Sequence, residues 1–366
     1  MKCRACSSTV GDAVLDLGEQ PACDHFPALE DSGPDPVYPL QMWLCFACGL
    51  AQLVADPTVP EEPRGAEPTA LIEQAADAVG RVVAAGWIRA GSRVAEYGSP
   101  HGGSWLSQLV AYGASSVGPG DSANAVLDCF GLMHCADQAA AVQERAERVA
   151  PGGVMLLQYH SLATIVRHGQ WNSLRHGHYA YYSLTALVSM LTGVGFRPRM
   201  VWHFDLYGGT VLLAATRETD KSIPADESVT RELEYERALG LRDPASLRML
   251  GDRAKASATA LRSWLRRHHA SSRSAYGYGA ASRAVALLCA AGADRSLLPA
   301  IADASPAKQG RRMPGTDIPV IAPAALVAAR PESVLLFLPD LLPEVRRALP
   351  EIEAAGGRWV NADDIC

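Results

Sequence analysis

Two CxxC pairs, Cys3-Arg4-Ala5-Cys6 and Cys45-Phe46-Ala47-Cys48, constrain this chain more than any other feature. Four thiolates in two knuckles suit a tetrahedral zinc ion. With every ligand supplied by protein, such a metal is closed to substrate and therefore structural. Its binding energy helps to fold a module with few apolar residues. Between the knuckles, Val14-Leu15-Asp16-Leu17 and Tyr38-Pro39-Leu40 read as short strands and Cys23-Asp24-His25-Phe26 as a polar turn. Cys23 and His25 are further candidate ligands, although the knuckles already supply four. The plainest reading of the module is a ribbon that braces or covers the rest of the chain. Nine cysteines, four of them in such pairs, point to a reducing compartment and metal binding rather than a disulfide framework.

A chain of 366 residues is long enough for two or three domains with their own cores. The formal net charge is −6 and no long basic run occurs, so nucleic acid polymers and anionic membranes are excluded as partners of the whole surface. No run of about 18 apolar residues is present, and no apolar targeting segment separates Met1 from the first knuckle. The expectation is a cytoplasmic protein with a small-molecule substrate.

Residues 57–68, rich in proline and glutamate, form a linker that ends the zinc module near residue 65. From 66 to 217 the chain alternates helix and strand. Thr69 to Trp87 has helical spacing, and Val94 to Gly98 is a strand that ends on glycine. Glu96, Gly98, Ser99 and Gly102 then form a loop before the helix through Trp105, Leu106 and Leu109. Glycines after a first strand let backbone approach a ligand, and the helix start favours negative charge. The next strands, Ser115 to Gly118 and Ala125 to Cys129, are separated by only six residues, whereas a parallel crossover needs about ten to twelve. Either a strand-helix unit is missing or these two strands are not adjacent. Residues 218–270 read as a helical connector broken near Asp243-Pro244, with Leu247, Leu250, Ala254, Ala258, Leu261 and Leu265 on one stripe. A further α/β domain occupies 271–366. The fold class is α/β: a zinc module followed by two Rossmann-like domains, the first with a shortened sheet.

Arg175 to Leu187 concentrates chemistry. His176 and His178 are imidazoles able to titrate near neutrality, Tyr179, Tyr181 and Tyr182 give amphipathic walls, and Ser183 is placed to cap the helix that follows. A loop that ends on a helix start is a common carrier of function. The bland alternative is a surface loop with satisfied rings. Lys308, Gln309, Gly310, Arg311 and Arg312 follow the strand ending at Asp303, where an open parallel sheet places its ligand contacts.

The knuckles, the Glu96-Tyr97-Gly98-Ser99 turn, the His178-Tyr179-Ala180-Tyr181-Tyr182-Ser183 frame, Tyr276-Gly277-Tyr278-Gly279-Ala280, and Lys308-Gln309-Gly310 through Pro314-Gly315-Thr316 occur in one order. Together they resemble the sugar C-methyltransferases that act on nucleotide-linked keto-deoxysugars. The resemblance implies a structural zinc ion, S-adenosylmethionine held by Glu96, Gly98, Ser99 and Gly102, and a nucleotide-sugar between the two α/β domains. It implies His178 as the base that takes a proton from the carbon beside a sugar ketone, with His176, Arg175 and Tyr179 around it. Tyr182, Tyr278, Arg283, Lys308 and Arg311 fall at positions expected near the substrate.

The chain departs from that pattern at several points. Gly177 stands where the family has a glutamate and Arg175 where it has a tyrosine. Pro100-His101 replaces a polar pair, and the second strand runs into Gly118-Pro119-Gly120-Asp121 rather than ending in an acid for ribose. Three functions therefore stand side by side. One is a C-methyltransferase of deoxysugar biosynthesis, of the antibiotic type. Another is an isomerase, epimerase, lyase or cyclase that uses His178 without a methyl donor. The last is a catalytically silent partner.

Overall fold

The computed structural model describes residues 1–31, 33–58, 67–98, 102–219 and 224–365. Ser99, Pro100 and His101, and most of the expected linker, lie outside the described residues. The chain opens with an antiparallel sheet of β1 (Gly11–Pro21), β2 (Val37–Cys45) and β3 (Ala51–Leu53). At Gly11, opposite Cys45, an added Cβ would lie 2.3 Å from the Leu44 carbonyl oxygen, so the knuckle closes only around glycine. These strands run longer than their sequence signal predicts, and β3 has no signal of its own.

The middle of the chain gives α1 (Thr69–Ala84), β4 (Arg93–Tyr97), α2 (Leu106–Ala111), β5 (Ser115–Ser116), β6 (Ala123–Cys129), α3 (Gln138–Arg148), β7 (Val149–His160), α4 (Leu162–His168), β8 (Ala180–Tyr181), α5 (Leu184–Gly193), β9 (Phe196–Phe204) and β10 (Thr210–Arg217). Helix α1 buries Leu71, Ala75, Ala78, Val79 and Val82, the stripe expected of an amphipathic helix. The second sheet has the order β5-β4-β6-β7-β10-β9, with β5, β4, β6 and β7 parallel and β10 antiparallel to both its neighbours.

The short connection noticed in the sequence now has a physical account. Strand β5 is two residues long and pairs only with Arg93 and Val94, the first residues of β4, while β6 pairs with the other side of β4 beginning at Val94 and Ala125. Residues 117–122 therefore need only pass round the start of β4 rather than climb over a helix. The two strands are not adjacent, and the strand-helix unit beyond β5 is missing. Strand β8 does not join this sheet. It pairs antiparallel with β3, Ala51 opposite Tyr181 and Gln52 opposite Ala180, as the fourth strand of the first sheet.

Helices α6 (Glu227–Leu239) and α7 (Pro244–Ala270) follow, divided where Asp243 caps the Ala245 amide at 2.9 Å and Pro244 takes the first helical position. The stripe read from the sequence is buried as expected. The last domain contains β11 (Ala275–Tyr278), α8 (Ser282–Ala291), β12 (Ile301–Ala302), β13 (Val320–Ile321), α9 (Pro323–Ala329), β14 (Ser333–Leu336), α10 (Leu342–Ala348), α11 (Pro350–Ala354) and β15 (Arg358–Asn361). Its five strands are parallel in the order β13-β12-β11-β14-β15. The order reverses at β11, so the crevice outside its carboxyl end, where α8 starts, is the expected ligand position.

The first sheet does not stand apart. Val14, Leu15, Phe26, Leu40, Met42 and Leu44 share one core with Leu247, Leu250 and Leu261 of α7 and Val285 and Leu288 of α8. Trp43, Cys45 and Leu50 share another with Val126, Met155 and Leu187 of the middle domain. Each fully buried apolar side chain contributes roughly 1.5–3 kcal/mol, so six of them rival the ~10–16 kcal/mol that a structural zinc ion supplies. The module is thus wedged between both α/β domains and borrows their cores. Among the described residues no helix is long and apolar enough to cross a membrane.

Candidate active site

The four knuckle cysteines converge. Cys3 Sγ lies 3.6 Å from Cys48 Sγ, Cys6 Sγ lies 3.6 Å from Cys45 Sγ, and all four sulfurs fall within 4.8 Å of one another. A zinc–sulfur bond of about 2.3 Å implies a sulfur–sulfur edge of about 3.8 Å in a tetrahedron, so the cluster fits the ion. No other such group of His, Cys, Asp or Glu forms among the described residues, and Cys23 and His25 stand outside it.

Residues 175–183 cross from the middle domain to the zinc module and back. Ser183 caps the Ala186 amide at 3.1 Å, as its position predicts. Glu236 of α6 accepts from the Leu184 and Thr185 amides at 2.5 and 2.8 Å, so the start of α5 is held by a buried carboxylate. His178 is buried, and its Nε2 accepts from Arg175 Nε at 2.8 Å and Nη2 at 2.5 Å. A guanidinium has no lone pair to offer. Nε2 therefore presents its lone pair to the cation. His134 packs edge-on against His178, with ring centroids 4.7 Å apart, and its Nδ1 donates to Gly177 O at 2.9 Å. His176 instead points to the module, its Nε2 donating to Pro39 O at 3.3 Å. Tyr179 lies under the Arg4 guanidinium, 4.8 Å from its ring centroid.

Gly177 has φ +82°, a conformation that favours glycine. Its amide donates to Asp56 Oδ2 at 2.5 Å, and a Cβ there would face Asp24 Oδ2 at 3.8 Å. A glutamate at this position would meet two carboxylates.

Arg175 also joins the domains, because its Nη1 donates to Ser282 Oγ at the first turn of α8. Beside it, Asn172 Nδ2 donates to Arg283 O at 3.3 Å and Arg283 Nη2 to Ser173 Oγ at 3.5 Å. Burial lowers Arg283 from its ordinary value, and the Arg175 charge adds to this. His160, at the carboxyl end of β7, is pushed down to about 3 by burial and by the Arg283 charge. Gln170 Nε2 donates to Tyr207 O at 3.3 Å, which turns its Oε1 to His160 Nε2 at 3.0 Å. His160 is thus neutral with its proton on Nε2. The carboxyl ends of parallel strands from two sheets meet here, around two guanidinium groups and the imidazoles.

Glu96 accepts from the Trp105 amide and Ser104 Oγ, each at 2.6 Å, and so holds the start of α2. Gly98 and Gly102 flank undescribed residues, and the Gly103 amide donates to Glu67 Oε1 at 2.7 Å. The loop therefore binds a carboxylate, and β5 ends at Ser116 with the next acid, Asp121, five residues further on. Tyr182 is buried and donates to Gln138 Oε1 at 2.5 Å. Tyr278 is pushed up to about 12 by burial. Lys308 Nζ donates to Ala280 O at 2.9 Å over the Phe26 ring, and Arg311 Nη1 donates to Phe26 O at 2.7 Å. Both cations fasten Phe26 of the module to the last domain, whereas Arg175, Ser282 and Arg283 gather at the junction. Sequence reasoning missed His134, His160 and Asp56. His160 ends β7 and His134 follows the carboxyl end of β6, positions that mark them once the strands are known. Asp56 carries no such signal.

Residues 3–61 match the family profile described as "Putative zinc binding domain", and residues 205–362 match the one described as "C-methyltransferase C-terminal domain". The curated C-methyltransferase NovU of Streptomyces niveus is 27% identical over 214 residues, covering 58% of this chain and 50% of that protein, so the chain spans about half the length of the curated relative it matches. Among solved structures, magnesium protoporphyrin IX methyltransferase from Synechocystis PCC 6803 with bound SAH matches 40% of this chain and 84% of its own at 16% identity and a TM-score of 0.30. The 1,6-didemethyltoxoflavin-N1-methyltransferase of Burkholderia thailandensis matches 41% of this chain and 79% of its own at 11% identity and a TM-score of 0.32. The chain thus matches a cysteine-rich zinc-binding domain at its start and a C-methyltransferase C-terminal domain at its end, on either side of a Rossmann-like middle domain.

Proposed function

We propose that the protein is a C-methyltransferase whose substrate is a nucleotide-linked keto-deoxysugar bound where the two α/β domains meet. The observation that carries this reading is the Arg175 guanidinium, hydrogen-bonded at once to His178 Nε2 and to Ser282 Oγ of the last domain. It puts an imidazole lone pair and a cation at one point, the pair that enolate formation needs. A substrate carbonyl entering the junction draws the guanidinium to its oxygen and frees the Nε2 lone pair. His178 then takes the proton from the adjacent carbon while Arg175 stabilises the enolate oxygen. Arg283 supplies a second cation for a diphosphate. Gly98, Gly102 and the Gly103 amide would hold the carboxylate end of S-adenosylmethionine, which supplies the electrophilic methyl group when bound.

The two-residue β5 and the Glu67 carboxylate on the Gly103 amide favour a second reading, in which the same proton transfer runs without a donor and yields an isomerase, epimerase, lyase or cyclase. Calorimetric titration with S-adenosylmethionine separates the two. Saturable binding supports methyl transfer, whereas no heat at millimolar ligand removes it.

A further inference from the structure

The zinc module reaches the active-site loop through two polar side chains that no metal ligand explains. Gln52 is fully buried. Its Oε1 accepts from the Arg4 amide inside the first knuckle at 2.9 Å, and its Nε2 donates to Lys2 O at 3.2 Å. In β3 the same residue stands opposite Ala180 of β8, and the next amide, Leu53 N, donates to Tyr179 O at 3.1 Å. Three residues further on, Asp56 Oδ2 accepts from the Gly177 amide. The backbone on both sides of His178 is therefore fixed from the module: Gly177 by Asp56 and residues 179–181 by β3, which Gln52 ties to the knuckle.

We propose that Gln52 and Asp56 are positioning residues that carry the order of the zinc knuckle into the His178 loop, so that the metal governs the geometry of the base without touching substrate. The functional half of this statement rests on His178 being the base. A buried amide bonded to two backbone groups has little freedom to rearrange, and losing either partner leaves a buried polar group unpaired. The path from knuckle to loop, built of strand pairing and part-buried hydrogen bonds, is a contiguous physical connection of the kind that carries coupling.

The test is backbone hydrogen exchange on the full zinc-loaded chain, comparing wild type with Gln52→Ala, Asp56→Ala and Asp56→Asn, with zinc content measured on each. The expected result is about one zinc per chain and unchanged protection in β6, β7, β11 and β14, with exchange at residues 176–181 faster by about tenfold to a hundredfold in the alanine variants. Asp56→Asn keeps one acceptor oxygen and should fall between. Stripping zinc from wild type with a chelator should loosen the same residues. Exchange at 176–181 within twofold of wild type in both alanine variants overturns the proposal. If an alanine variant loses protection everywhere, the chelated wild type decides, and a loop that stays protected there also overturns it. Solvent deuterium incorporation into a nucleoside-diphosphate-linked keto-deoxyhexose is the second readout, expected to fall in step with loop protection. A loosened loop in the variants, with no His178-dependent incorporation in wild type, supports the positioning and counts against the base.

Discussion

At residue scale, the carboxylates of this molecule differ in what their surroundings do to them. Glu236 is buried beneath α5 with Glu232 nearby, and desolvation pushes it up to about 7 although three hydrogen bonds from Leu184 and Thr185 oppose the shift. A carboxyl raised in the folded state and ordinary in the unfolded chain makes the unfolded state release its proton first. Its contribution to stability is therefore full below the unfolded value and is lost as pH rises to about 7. We expect wild type to lose stability relative to Glu236→Gln over this range, by roughly 1–3 kcal/mol. Equal pH slopes in denaturant unfolding of the two proteins would contradict this. Asp128 and Arg145 form a buried pair at 2.6 Å, with Arg145 also donating to Ala141 O. Removing one partner strands the other, so Arg145→Met should destabilise the middle domain by about 3–5 kcal/mol. A change below 1 kcal/mol would mean that water reaches the site. His160 gives a third expectation: held neutral by burial, its ring should not titrate between pH 5 and 8 in an NMR titration.

At the scale of elements, the parts legible in the sequence were those with a local cause. The helical stripe of α7, the cap at Ser183, the alternation of the last domain and the two knuckles all depend on residues near one another in the chain. The anomalous spacing after Ser116 was legible too, but its meaning needed the register, because whether six residues suffice depends on the level at which β5 stops beside β4. Strands β3 and β8 were not legible at all. Each is short: β3 is held by β2, and β8 pairs with β3 across 126 or more residues of intervening sequence. The same cause hid Asp56, whose role is a contact with the Gly177 backbone. It also recast Gly177, read from the sequence as a lost carboxylate partner. In the fold Gly177 takes a positive φ and donates to a carboxylate from another element, so Gly177→Glu should weaken the loop rather than restore a partner. Restored or raised activity in that variant would contradict this.

At the scale of the molecule, three sheets meet around one loop. The zinc module supplies the strand that receives β8, the middle domain supplies His134, His160 and the loop itself, and the last domain supplies Ser282 and Arg283. The knuckles should bind about one zinc per chain, and Cys45→Ser should lose it, as metal analysis would show. Metal retained at the wild-type level would place the ion elsewhere. The central claim is that this junction takes a proton from a carbon beside a carbonyl through His178. It is tested most directly by mass spectrometry of a nucleoside-diphosphate-linked keto-deoxyhexose incubated in deuterated water with wild type or His178→Ala. The account predicts one deuterium gained at the carbon beside the ketone with wild type, and a rate at least about a hundredfold lower with the variant. Equal incorporation by the two proteins, or none by wild type, would contradict it.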